Sequence, residues 1–352
     1  MFGAEHVHSR EALEPFLYLS EIHPGKNLRG ILCDAINEFV QCRREELDIV
    51  KEFIKELHSA SLIVDDIEDA SERRRGVACS HLQYGIPRAL NAANYAYFVA
   101  MQTLSKLPNR EETMNAFCSE MLNLHRGQGL DILWRDTLIR ENSVSYSLPT
   151  EEEYLSMVRD KTGGLFRLVV LILGITSNAS LELQNTLLAL CNILAEAFQV
   201  RDDLMSLCSP TLQESKGICE DLSEGKLSFI TLHGLRSSPR SKELQFVLCM
   251  RTKDPNLLLN AVRILSDSGS FLYAGKRCGE IMSQARRLVS ELGGSMKLEE
   301  LFQRMERDVR ECMTVADKRL NQHWLVAAHQ CIIDRTSVLD ETEGEHKTGE
   351  LD

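Results

Sequence analysis

Glycine and proline are both scarce in this 352-residue chain, at 20 and 8 residues, and the prolines do not cluster. Length alone would allow two or three domains, but no linker divides them. A single large helical domain fits better, and 43% apolar residues supply a substantial core. Val/Ile/Thr-rich alternating runs bounded by turns, the mark of strands, are hard to find. Positive charge is also in deficit, with 40 Lys and Arg against 52 Asp and Glu, a net charge of −12. That argues against a general nucleic-acid binder. A phosphate-handling enzyme can still be acidic overall, because a few local cations and bound metals decide its site.

Cysteine is present, but paired cysteine is not. The 11 residues are scattered, odd in number and form no C-x-x-C pair. This excludes the usual zinc and disulfide frameworks and leaves reduced, mostly buried thiols in an intracellular protein. Long apolar runs are missing too. The longest, Leu168 to Ile175, is far short of the roughly 20 residues of a membrane span and reads as a buried helix. The opening MFGAEHVHSREALEPF has no apolar signal core and is too acidic for a typical transit peptide. The closing Gly-Glu-Leu-Asp is neither a prenylation box nor a peroxisomal address. The expectation is a cytoplasmic protein with no transmembrane segment.

What is present is helical periodicity. Segments near 47–68, 88–107, 112–134, 151–175, 181–207 and 296–320 place apolar residues at three- and four-residue intervals. Breaks fall at Pro24-Gly25, Gly76, Gly85 to Pro87, Pro108-Asn109, Ser147 to Thr150, Ser209-Pro210, Ser237 to Pro239 and Gly293-Gly294. Thr150 with Glu153 forms a capping box that starts a helix. Residues 1–13 are expected to be a flexible N-terminus. Residues 336–352 are acidic and poor in apolar residues, and are expected to be a disordered tail.

Two acidic clusters each follow an apolar run directly. Asp65-Asp66-Ile67-Glu68-Asp69 follows Ala60 to Val64, and Asp202-Asp203 follows Ala197 to Arg201. Ionised groups pressed against core-forming segments are costly unless neutralised. A hard divalent cation is the natural neutraliser, and Mg2+ bridges such carboxylates to substrate phosphate. Asp65 and Asp69 share a helix face at i and i+4, and Asp66 flanks it. Taken alone, this pattern is equally an acidic helix terminus. Arg73-Arg74-Arg75 follows within about one turn, however, and guanidinium groups beside metal-holding carboxylates make a diphosphate clamp. Lys216 and Lys226 add point charges near the second cluster. Upstream, Lys26 and Arg29 lie in a Gly-containing turn. With His58 and Arg75 they suit a second, metal-free diphosphate.

The run DDIEDASERRRG, then GIPRALNAANYAYF, LHRGQGLDILWRD, KTGGLF, FQVRDD and CEDLSEGKLSF, closely resembles the trans-prenyltransferases, and among them the fungal geranylgeranyl diphosphate synthases. The resemblance runs from about residue 14 to 320. It implies an all-α, single-domain isoprenoid synthase bundle around a central cavity, a catalytic domain over 14–335, and a homodimer. It implies that isopentenyl diphosphate is condensed with an allylic diphosphate (dimethylallyl, geranyl or farnesyl), with about three Mg2+ ions holding the leaving diphosphate. Metal ligation falls to Asp65, Asp66, Asp69, Asp202 and Asp203. Arg74, Lys161, Lys216 and Lys226 fall to the allylic diphosphate, and Lys26, Arg29, His58 and Arg75 to isopentenyl diphosphate. Thr162 and Gln199 fall beside the carbocation, and Gln128 and Asp131 brace Lys161 and the second metal motif. Small residues at Ala60 and Ser61 imply growth to twenty carbons, with Tyr97, Phe98 and His125 as a deeper floor.

The departures are Ser206 where a full second D-D-x-x-D ends in Asp, Ile230 where the family usually has Pro, and Arg167, to which no role attaches. A class I terpene cyclase is the competing enzyme, but no Asn-Asp pair of its second metal motif occurs. A cyclase also has no use for a second diphosphate pocket. A synthase that stops at the farnesyl length and a non-catalytic partner subunit complete the competing readings. The subunit predicts eroded metal ligands, whereas the principal ones are present.

Overall fold

The computed structural model describes residues 7–23, 27–140, 147–209 and 219–317. Among them are fifteen α-helices and one two-stranded ribbon, the all-α architecture expected. Lys26, Lys216 and the tail at 336–352 lie outside the described residues. The helices are α1 (Val7–Leu17), α2 (Leu28–Val40), α3 (Arg44–Glu68), α4 (Ser80–Tyr84), α5 (Ile86–Leu104), α6 (Arg110–Arg140), α7 (Glu151–Lys161) and α8 (Gly163–Ser177). They continue with α9 (Leu181–Cys208), α10 (Glu220–Ser223), α11 (Phe229–Ser237), α12 (Ser241–Met250), α13 (Pro255–Asp267), α14 (Ser270–Glu291) and α15 (Met296–Asp317). The boundary expected between residues 13 and 14 falls inside α1, where Leu13 is already buried.

α3 forms because Leu47, Val50, Phe53, Ile54, Leu57, Ala60 and Ile63 recur at helical spacing, and all are buried. Each large aliphatic buried this way contributes about 1.5–3 kcal/mol. α3 packs along α5, whose inner face is Ala89, Ala92, Ala93, Ala96 and Ala100, all fully buried. Side chains this small let the two backbones run close together. α8 is buried on nearly every side, as a helix apolar all round must be. α2, α3, α6, α7 and α9 pack around it. α9 joins the two main cores. Leu187, Leu190 and Leu194 belong to one, and Val200, Leu204 and Leu207 to the other. The residues where the second group begins carry the second acidic cluster.

Several local devices place side chains at the mouth of the bundle. The segment expected as one helix over 151–175 breaks at Thr162, so α7 ends at Lys161 and α8 restarts at Gly163. The capping box of Thr150 and Glu153 starts α7, with the Thr150 N–H donating to Glu153 Oε2 at 2.7 Å and the Glu153 N–H donating to Thr150 Oγ1 at 3.1 Å. Where α6 crosses α7, a Cβ on Gly127 would stand 2.3 Å from the Lys161 backbone nitrogen, so only glycine permits the crossing. β1 (Arg73–Arg74) and β2 (Val77–Ala78) pair antiparallel. Their turn has φ of +56° at Arg75 and +84° at Gly76, the signature of a tight hairpin turn with both central residues left-handed. Arg74 and Arg75 are thereby sent to different partners.

Arg167 acquires a role here. Its Nε and Nη2 grip the Glu120 carboxylate at 3.0 and 2.6 Å, and Nη1 donates to the Arg159 carbonyl at 2.6 Å and Asn192 Oδ1 at 2.8 Å. It ties α6, α7 and α9 together beneath the break. Ile230 is fully buried near the start of α11 and fills core where a proline ring would otherwise stand.

Candidate active site

The first acidic cluster closes α3. Asp66 is buried and accepts from Arg74 Nε at 2.7 Å. Asp65 accepts from Arg74 Nη2 and Gln128 Nε2, each at 3.2 Å, and lies 3.8 Å from Lys161 Nζ. Asp69, the C-cap, accepts from Arg135 Nη1 at 2.6 Å. Glu68 accepts from Gln128 Nε2 at 2.8 Å. Gln128 thus braces the first cluster and not the second as expected, because it stands on the face of α6 that meets the end of α3. Arg135 is absent from the residues expected at the site. It follows Gln128 and Asp131 along that same face at helical spacing, which is the signal that marks it.

Lys161 donates to Asp131 Oδ2 at 2.6 Å. Burial works against its charge, but Asp131, Asp65 and Asp69 outweigh burial and hold the amine protonated. Lys226 behaves alike, with Asp221, Asp203, Asp131 and Glu224 opposing burial. Burial would raise the Asp131 pKa, yet Lys161 and Lys226 hold it below the usual carboxylate value. An alternating row results: Asp65, Lys161, Asp131, Lys226, Asp203.

Asp203 differs from its expected role as a metal ligand. It is fully buried, and both oxygens are engaged. Oδ2 accepts from the Tyr154 hydroxyl and, at 2.7 Å, from the Phe229 N–H, while Oδ1 accepts from Gln199 Nε2 at 2.9 Å. Burial pushes its carboxyl up to about 6, with Lys226 opposing. Asp203 therefore pins α7, α9 and α11 together. Asp202 is the accessible member of the pair, with its side chain 41% exposed. The Thr162 hydroxyl donates to Gln199 Oε1 at 2.8 Å, which joins the α7–α8 break to the second cluster.

A separate basic group forms where α2, α3 and the hairpin meet. His58 is held neutral, its pKa lowered by burial and then by Arg29, Arg75 and Arg74. Arg29 is lowered to about 10, by burial first and by Arg75, with Asp202 opposing. Its Nε is buried with no hydrogen-bond partner. Arg75 Nη1 donates to the carbonyls of Leu19 and His23 at 2.7 and 2.5 Å. Arg29 and Arg75 beside a neutral imidazole attract anions, while Arg74 is already taken by Asp65 and Asp66. Behind Arg29 lies an apolar pocket lined by Leu28, Phe166, Phe198, Leu301 and Met305 among others.

Of the chain-length candidates, Ala60 is fully buried, whereas Ser61 is half-buried and its hydroxyl donates to the His58 carbonyl at 2.9 Å. Tyr97 meets the His125 ring edge-on at 6.2 Å. Its hydroxyl pKa is raised by burial, then by Glu68 and Asp65, which sets it near the acidic end of α3. Phe98 is 68% exposed and forms no floor within one chain, because it lies on the outer face of α5.

The donors around the end of α3 are oxygen atoms, the class that Mg2+ takes. Asp66 Oδ2 is buried without a hydrogen-bond partner, and burial raises the pKa of both Asp66 and Asp69. A buried carboxylate oxygen without a partner among oxygen donors fits the ion. Among the described residues no three such groups are already gathered into a cage. Mg2+ needs only one or two carboxylates, with phosphate oxygens and water completing its shell.

The architecture is that of an all-α isoprenoid synthase. A solved geranylgeranyl pyrophosphate synthetase from Pyrococcus horikoshii OT3 superposes with a TM-score of 0.72 at 23% identity, over 85% of this chain and 90% of that one, a likeness of fold. The family model for polyprenyl synthetases matches residues 10–265. The geranylgeranyl pyrophosphate synthase of Macrophomina phaseolina is 43% identical over 289 residues, 82% of this chain and 85% of that protein. That of Hypoxylon pulicicidum is 42% identical over 278 residues, 79% and 69% of the two chains. The chain belongs to the polyprenyl synthetase family.

The alternating row makes Asp131 the test of the site's integrity. Asp131→Asn keeps the shape and removes the anion that Lys161 and Lys226 share. Breaking a buried pair costs about 3–5 kcal/mol, which a urea or guanidinium titration reads as a lowered midpoint. An unchanged midpoint would contradict the shared-anion arrangement.

Proposed function

We propose that this protein condenses isopentenyl diphosphate with an allylic diphosphate to give geranylgeranyl diphosphate and diphosphate. The observation that carries this is the presence of two distinct charge environments among the described residues. One is rich in carboxylates and lysines, at the ends of α3, α7 and α9. The other is basic, at Arg29, His58 and Arg75, and Lys26 is assigned to it from sequence. A terpene cyclase would leave this second group without a task. The names of the fungal relatives support the same product.

In the reaction, the allylic carbon–oxygen bond breaks and its electron pair leaves on the diphosphate. The double bond of isopentenyl diphosphate attacks the allylic carbocation, a proton is lost, and the chain is five carbons longer. Lys161 and Lys226, held protonated by their carboxylate neighbours, supply fixed positive charge to the leaving group. Preorganised charge in a site closed to water usually contributes most to such catalysis. Thr162 and Gln199, fixed to each other and to Asp203, offer oxygen dipoles to the carbocation. Asp65, Asp69 and Asp202, with Asp66 in support, would hold Mg2+, which would supply Lewis-acid stabilisation of the negative charge on the diphosphate. Arg29, Arg75 and His58 hold isopentenyl diphosphate without a metal.

We further infer that two copies associate through α5, where Ile86, Leu90, Tyr95 and Phe98 are 40–68% exposed. A row of this kind suits an interface between copies. Light scattering is expected to give twice the 39.9 kDa chain mass, and a monomer at assay concentration would contradict it. No helix among the described residues is long and apolar enough to cross a membrane. The proposed compartment is the cytoplasm, on the reduced thiols expected from the sequence.

The test of function is product analysis with Mg2+, excess isopentenyl diphosphate and each allylic primer. The expected main product has twenty carbons. Ser61→Phe places a ring at the half-buried position one turn before Asp65 and is expected to stop growth at fifteen carbons. Ala60→Phe is a poorer test, because overpacking a fully buried position adds roughly 1–3 kcal/mol of strain. If the wild-type enzyme stops at farnesyl diphosphate, the product assignment falls; if no prenyl product forms, the enzyme reading falls with it.

A further inference from the structure

Asp202 on α9 and Asp308 on α15 share one arginine. Arg201 Nη1 donates to Asp202 Oδ1 at 2.6 Å, its Nε donates to Asp308 Oδ2 at 2.9 Å, and Nη2 also reaches Asp308. The Phe198 ring, one turn earlier on α9, lies 5.4 Å from the guanidinium carbon. The Arg201 side chain is 8% exposed and that of Asp202 is 41% exposed. A buried guanidinium held this way differs from a surface ion pair, which moves freely and contributes little. Two of its donors are committed to α15, so the third is fixed in direction. That third donor takes Oδ1 of Asp202.

Carboxylates that ligate a metal are commonly themselves hydrogen-bonded, and loss of that partner typically costs 10–100-fold in metal affinity. A carboxylate with one oxygen tethered and the other turned to an accessible face is set to ligate in one orientation. We propose that Arg201, anchored by Asp308, is the positioning residue that sets Asp202 for the cation bound with the allylic diphosphate. The inference rests on the reading of Asp202 as a metal ligand. It gives α15, remote in sequence from both acidic clusters, a direct hand in cation binding. Neither Arg201 nor Asp308 touches substrate in this arrangement.

The test uses Mn2+ in place of Mg2+ and inorganic diphosphate as the anion, with bound Mn2+ counted by electron paramagnetic resonance and no turnover involved. Asp202→Asn sets the reference and is expected to lose one ion. Asp308→Asn leaves Arg201 tethered by one carboxylate only. It is expected to weaken the last-bound Mn2+ about ten-fold, the low end of the range for lost partners of metal ligands. Arg201→Lys keeps the charge, loses the fork, and is expected to shift the same ion in the same direction. Circular dichroism melts establish that each variant is folded, and Arg201→Lys decides the matter if Asp308→Asn is not. If Asp202→Asn binds Mn2+ like the wild type, both the ligand reading and the positioning role are overturned. If Asp202→Asn loses an ion while folded Asp308→Asn and Arg201→Lys titrate like the wild type, the positioning role alone is overturned.

Discussion

A row of alternating charges holds the functional end of this bundle together. Asp65 at the end of α3, Lys161 at the end of α7, Asp131 on α6, Lys226 before α11 and Asp203 on α9 are linked by contacts of 2.6 to 3.8 Å and by the field of Asp131 on Lys226. Each member is costly to bury alone. Together they raise the pKa of both lysines above the ordinary lysine value and favour their charged forms. Five segments distant in sequence are thereby forced to meet, and the meeting place is where a diphosphate would be discharged. Gly127 and the break at Thr162 are the backbone conditions that make the row possible. One lets α6 and α7 approach, and the other ends α7 where Lys161 is needed.

The row is rich in carboxylates. Asp66 and Asp69 sit against the core with raised pKa values, and Glu224 is raised further by burial, Asp69, Glu220 and Asp221. Arg74 and Arg135 answer only part of this charge. The imbalance favours a divalent cation, whose remaining ligand positions phosphate oxygens can fill. Around His58 the imbalance is reversed. Arg29 and Arg75 stand beside a neutral imidazole, and Arg29 keeps a buried donor without a hydrogen-bond partner. On the function proposed here, the first environment would take a diphosphate together with metal and the second a diphosphate alone.

Much of this is legible in the sequence. The long helices, most of their breaks, the Thr150 capping box and the cluster of Asp65, Asp66 and Asp69 follow from periodicity and spacing, whereas Lys161, Thr162 and Gln199 are singled out only by the family resemblance. Three kinds of information are not legible. Partner choice is one. Asp202 and Asp203 are adjacent and identical, and only the packing of Tyr154 and the start of α11 makes one a structural hub and leaves the other accessible. Exposure is another. Phe98 looks like a core aromatic in a helix of alanines, yet its position faces outward. The third is long-range pairing. Arg167 with Glu120, Arg135 with Asp69 and Arg201 with Asp308 pair across 47, 66 and 107 residues of chain, and no local pattern announces such contacts. Helix α2 and the run from α11 to α14 are also absent from the segments expected to be helical, although Leu258, Ala261, Val262 and Leu265 on α13 and Phe271, Ala274, Cys278, Ile281, Ala285 and Val289 on α14 recur at helical spacing that periodicity could have shown.

The central claim is that two diphosphate environments coexist and that only one needs metal. Titration calorimetry with inorganic diphosphate addresses it directly, first with Mg2+ present and then with a chelator. The expected result is two diphosphates bound per chain with Mg2+ and one without it, and Arg29→Ala should remove the metal-independent one. The same stoichiometry in both conditions, or a metal-independent site untouched by Arg29→Ala, would contradict it.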